Sequence, residues 1–298
     1  MAMGLPYQGD IWFWEENVYG GGETSGGTML ISDKVYNVRL DSGDIHKTLR
    51  GISEPTICGF ISQPSDPVLH IEWVLQPTTP SATIGSLATY CCDRSSTGTV
   101  KSLAFEYSAN KLGGTKSYYM LTGCVAKSFT LSASKGNEYI CSADFSVQSV
   151  ATASTTVRTK PTALGKEYAR FNHTANTITI TGIAEPAYIT NSIEINVDNH
   201  ITDYWDCDTS TKTCAIPGAK DIIGSCDISL NNGGAVHWGD VFGGAVLSSI
   251  AVVTGQSGID DTFTLNVGRF DNTSVDQSLT DEGMMVSQPF TFKNLTIT

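Results

Sequence analysis

Apolar and polar residues alternate with a period of two along most of this chain, as strands with one buried face require. Val68–Leu75 and Leu103–Ser108 show the pattern, as do Tyr118–Gly123, Thr177–Gly182, Phe263–Phe270 and Pro289–Lys293. Helical periodicity is scarce, and Asp44–Arg50 alone reads as a short helix. The expected fold class is all-β, with at most one or two short helices.

The alternation also repeats. Lys127–Ala133 is matched 64 positions later by Asn191–Val197, with Phe129, Leu131 and Ala133 set against Ile193, Ile195 and Val197. Ile140–Val147 is matched 83 positions later by Ile223–Leu230, and a strand ending in Thr-Gly precedes each pair, at Thr122-Gly123 and Thr181-Gly182. Two matches in one order predict an internal duplication. The divisions are an N-terminal arm at 1–29, a first β module at 30–157 and a second at 158–298. The growing offset implies 19 extra residues in the second copy, an insertion at about 199–217.

The arm carries the apolar knot Ile11-Trp-Phe-Trp14, followed by the loop Gly20–Gly27. A hydrophobic anchor on a flexible tether is one reading, with Trp12, Phe13 and Trp14 buried on a neighbouring subunit. Folding back onto its own domain is the other. The insertion holds Asp203, Tyr204, Trp205, Asp206 and Asp208, read as a solvated exterior loop. Cys207 and Cys214 flank its turn and are the one local pair suited to a disulfide.

Charge and candidate chemistry narrow the function classes. The 298 residues carry 30 Asp+Glu against 18 Lys+Arg, a net charge of −12, which argues against gripping phosphates. No run of apolar residues is long enough for a membrane span, and the first ten residues lack the basic and apolar regions of a signal peptide. Eight cysteines form no C-x-x-C, and five histidines have no mutual metal spacing, so neither a metal nor a cofactor is expected. Gly255-Gln-Ser-Gly258 misses the nucleophile-elbow spacing, and Gly20-Gly-Gly lacks the lysine of a P-loop. The carboxylates of the insertion are dense enough for Ca²⁺, but the EF-hand order is absent. No catalytic set survives, and no enzyme is expected.

Leu121–Ala133 followed by Glu138–Ser146, and later Asn191–Asn199 followed by Gly224–Leu230, resemble the core of the major tail tube proteins of long-tailed viruses of bacteria and archaea. The resemblance covers about residues 100–230 directly. It implies a structural virion protein, made in the host cytoplasm and located in the tail. Such proteins form rings that stack into a hollow tube, and the genome passes through the lumen without specific binding. The implied partners are the chain itself, the tape measure and the tail-end proteins. If both modules fill places in a sixfold ring, the ring is a trimer with pseudo-sixfold symmetry; a hexamer is the alternative. The rival class is a carbohydrate-binding or adhesin β-sandwich using Tyr204 and Trp205 as a sugar platform.

Overall fold

The computed structural model describes residues 10–22, 29–41, 46–50, 57–62, 66–76, 86–92, 100–110, 116–153, 156, 158–161, 168–171, 178–182, 190–206, 211–229, 246–256, 259–271 and 285–297. The strands in chain order are β1 (Ile11–Glu15), β2 (Met29–Leu30), β3 (Val35–Asp41), β4 (His46–Arg50), β5 (Ile57–Ser62) and β6 (Val68–Val74). Helix α1 (Leu87–Cys92) precedes β7 (Leu103–Asn110), β8 (Lys116–Ser134), β9 (Ile140–Ser146) and β10 (Ser149–Ala153). Then come β11 (Ile178–Thr181), β12 (Thr190–Asp198), β13 (Ile201–Trp205), β14 (Lys212–Pro217), β15 (Asp221–Ser229), β16 (Val246–Gln256), β17 (Ile259–Phe270) and β18 (Met285–Ile297). The fold is all-β, as the alternation predicts.

Strand β8 is the pivot. Its first half pairs with β7 and β10, and its second half with β9 and β12. Between the halves sits Gly123 at φ 63°, where a Cβ would lie 2.4 Å from that of Gln148. A left-handed backbone at such close quarters admits only glycine. Gly123→Ala should therefore cost about 1–3 kcal/mol in a denaturant titration, mostly as local strain.

Along the main sheet the order runs β3-β6-β9-β8-β12-β15-β18-β17-β16-β11, with every pairing antiparallel. One apolar cluster serves both expected modules. Phe129 of β8 stacks on Phe263 of β17 at 6.5 Å and 4° from parallel, while Phe105 of β7 meets Phe145 of β9 edge-on at 4.9 Å. Cys91, Cys124, Cys141 and Cys226 are buried free thiols that pack there as small apolar side chains.

The same strand plan occurs twice. β1 pairs with β7 as β11 pairs with β16, and β3 with β6 as β12 with β15. The two-stranded hairpin β4–β5 falls between β3 and β6 in chain order, as β13–β14 falls between β12 and β15. β7–β8, β8–β9 and β6–β9 correspond to β16–β17, β17–β18 and β15–β18. This equivalence differs from the one the alternation suggested. Lys127–Ala133 and Asn191–Val197 are neighbours rather than counterparts: Phe129, Leu131 and Ala133 lie directly opposite Val197, Ile195 and Ile193. Any two buried strands share that phase, so sequence alternation alone could not separate copy from neighbour. The stretch at 199–217, expected as an insertion in one half, holds the hairpin β13–β14.

Two further expectations are corrected. His46–Arg50 is strand rather than helix, because it forms backbone pairs with Ile57–Ser62. The helix lies at α1 instead, where five of six residues are buried and no amphipathic stripe marks it.

Candidate functional site: an acidic sheet face and a clamped hairpin

One face of the sheet closes the core, and the other is polar in three rows set by strand register. His70, Asp144, Ser128, Asp198 and Asp221 lie in line across β6, β9, β8, β12 and β15. The next rows are Glu72, Ser142, Thr130, Asn196 and Ile223, then Ile140, Ser132, Glu194 and Ser225. These fourteen positions hold five carboxylates, one imidazole and no lysine or arginine. Hydrogen bonds knit the face laterally: Ser128 donates to Asp144 at 3.1 Å, Thr130 to Asn196 at 2.7 Å and Ser192 to Asp227 at 2.6 Å, while His70 Nδ1 lies 2.8 Å from Asp144. Arg39 on β3 and Arg269 on β17 stand at its margins.

A groove of about 540 Å³ opens at one end, lined among others by Tyr36, Glu138, Arg170 and Glu194. Glu138 accepts a hydrogen bond from Lys34 at 2.6 Å, and that bond holds its carboxyl below the usual range. An ionised Glu138 cannot serve as the proton donor that glycoside hydrolysis needs. Among the described residues no cluster of three metal-ligating side chains exists, and no helix is long and apolar enough to cross a membrane.

The hairpin β13–β14 is clamped to the first half of the chain. Asp203 takes a hydrogen bond from Ser146 at 2.6 Å and lies 3.1 Å from Lys127 and 3.2 Å from Lys212. Burial opposes its ionisation, but the Ser146 bond and the two lysine charges outweigh burial and hold its carboxyl below the usual range. Lys212 is fully buried and also reaches Asp66 at 2.5 Å. Asp203 is thus not part of a solvated loop, contrary to expectation, whereas Tyr204, Trp205 and Asp206 are exposed. Asp208 and Cys207 lie outside the described residues; Cys214 carries a free thiol opposite Tyr204. Because Asp203 has a depressed folded pKa, its contribution is present above the unfolded value and lost as pH falls through the folded one. Acid titration should therefore remove more stability from the wild type than from Asp203→Asn.

The apolar knot of the arm follows the second of its two readings and folds back onto its own chain rather than standing out as an anchor for a neighbour. β1 is an interior strand between β2 and β7, and Trp12, Phe13 and Trp14 are buried within their own chain. Ile11 and Phe13 enter the main core, while Trp12 and Trp14 pack with Ala104 on the opposite face. Trp14 Nε1 donates to the Gly22 carbonyl at 2.9 Å, and the Arg158 guanidinium lies 4.9 Å from its ring centre. Buried Glu16 ties down the glycine stretch, accepting from the backbone N–H of Gly20 at 3.2 Å, Gly22 at 2.9 Å and Gly123 at 3.0 Å. Gly20–Gly22, the described part of the expected tether, is a fastened turn.

The family model described as phage tail tube protein matches residues 4–293. The chain belongs to that family. The tail tube family is structural and places the protein in the virion tail, in keeping with an all-β fold. No curated protein matches the chain.

Proposed function

We propose that this tail tube protein assembles into stacked rings and that the acidic sheet face lines the lumen through which the genome leaves. The observation that carries this reading is the charge of that face: fourteen aligned positions on five strands, five of them carboxylates and none a lysine or arginine. A conduit for a polyanion must not hold it, and carboxylates repel phosphate where lysines would bind it. DNA then passes without specific contacts. The two halves, read as a duplication, fill two of six places, so that three chains make a pseudo-sixfold ring; six chains per ring is the competing count. The tape measure and tail-end proteins are the remaining partners, and synthesis takes place in the host cytoplasm without enzymatic activity. The exposed tip with Tyr204 and Trp205 projects outward.

Negative-stain images of the purified protein should show hollow tubes; uniform monomers at every concentration would favour the sugar-binding rival. Glu194→Lys with Asp198→Lys should produce tubes that retain DNA at low salt and release it at high salt. Tubes of that variant that ignore DNA at low salt would remove the face from the lumen.

A further inference from the structure

Two imidazoles stand against the carboxylates of the acidic face, one at each end of the same row. On β6, His70 Nδ1 lies 2.8 Å from Asp144, and Ser128 donates to the same carboxylate at 3.1 Å. At the far end His200 follows β12, with its Nε2 2.7 Å from Asp221 and its Nδ1 3.8 Å from Asp198. All three carboxylates of the row thus have an imidazole within ion-pair reach.

The backbone is bent to bring His200 there. Its φ of 46° lies in the left-handed region that favours glycine, and its N–H donates to Asp198 at 2.7 Å. Gly218 packs so close that a Cβ on it would lie 3.0 Å from that of His200. Such a conformation persists only where its surroundings enforce it. The charged groups facing each ring among the described residues are few. His70 has Arg39 opposite on β3, Asp144 opposite on β9, Glu72 two positions along its own strand, and Asp41 bonded to Arg39. His200 has Asp198, Asp221 and, on β18, Lys293 one position beyond the Phe292 that faces Ile222. Lys220 bonds instead to the Cys92 carbonyl.

We infer that His70 and His200 make the face acid-responsive: two added protons set against its five carboxylates turn a surface that repels polyanions at neutral pH into one that holds them in mild acid. The consequence for DNA rests on the lumen reading; the cause rests on the ion-pair contacts alone. Imidazole is the side chain whose ordinary change of charge falls between about pH 5 and 8. Both rings are partly exposed, so protons reach them without unfolding. Neighbouring strands lie about 5 Å apart and the Debye length is about 10 Å at 0.1 M salt, so each proton is felt by the carboxylates beside it. Repeated in every chain of a stack, two charges per chain change the field along the whole conduit.

The test loads tubes of the full chain with linear DNA at low salt and washes them at about pH 8 and at about pH 5.5. Wild-type tubes should retain several-fold more DNA at the lower pH. His70→Gln with His200→Gln keeps a hydrogen-bond donor toward each carboxylate but gains no charge, and should retain equally little at both. His70→Lys with His200→Lys carries the charge permanently, and should retain in alkali what the wild type retains in acid. Circular dichroism checks the fold of each variant. Soluble subunits titrated with spermine read the face without the tube: binding should weaken several-fold on acidification in the wild type and hold steady in the glutamine variant. A glutamine variant whose tubes still respond to pH would overturn the inference, and so would spermine binding that weakens equally in both proteins. Wild-type tubes indifferent to pH, with spermine binding that still depends on the two histidines, would count against the lumen reading and leave the acid response standing.

Discussion

Replacing Trp14 with alanine should lower folding stability by about 3–5 kcal/mol, the range for truncating a buried large aromatic side chain. The loss has three sources. The indole packs with Trp12 and Ala104, donates to the Gly22 carbonyl, and lies beneath the Arg158 guanidinium. Equilibrium denaturation of the soluble protein measures it directly. A neighbour-binding anchor would give the opposite result, an unchanged midpoint with impaired tubes. By the same logic, deleting residues 1–27 should yield a chain that fails to fold, since β7 would lose its β1 partner and Phe105 its contact with Phe13.

Lys212→Ala should cost a similar amount, about 3–5 kcal/mol, because it leaves the buried Asp203 carboxylate short of a partner. Lys127 remains within 3.1 Å of Asp203, which places the effect toward the lower end. The informative companion is Lys212→Met with Asp203→Leu, which removes both buried charges and should recover most of the loss. Chemical denaturation of the three proteins resolves the pair: a double variant as unstable as the single would mean that the hairpin is held by something other than its ions.

Much of the fold was legible because alternation reports directly on a half-buried strand. Leu69, Ile71 and Trp73 line the core from β6, and His70 and Glu72 face outward, as the bare pattern requires. What alternation does not report is which strands are partners. Phe129–Ala133 and Ile193–Val197 have the same phase whether they are copies or neighbours, and only hydrogen-bond register distinguishes the two. Polar residues misled in a second way. Asp203 among four other acidic or aromatic neighbours reads as a wet loop, yet its fate depends on Lys127 and Ser146, residues distant in sequence that no local spacing reveals. Glu16 beside a glycine run has the same character, since its four partners are three glycines and a serine with no charge pattern to flag them. The acidic face lay in view all along as Asp144, Asp198 and Glu194, but only the register of five strands aligned them into a surface.

The buried thiols bear on how such a particle survives outside the cell. Thiolate, not thiol, is the species that oxidants and disulfides attack. Burial pushes the thiols of Cys91, Cys124 and Cys141 well above their ordinary range and that of Cys226 up to about 12. At neutral pH almost none of these sulfurs is ionised, and none meets solvent. In a tail exposed to aerated water these four thiols are therefore held in a form that neither ages nor cross-links.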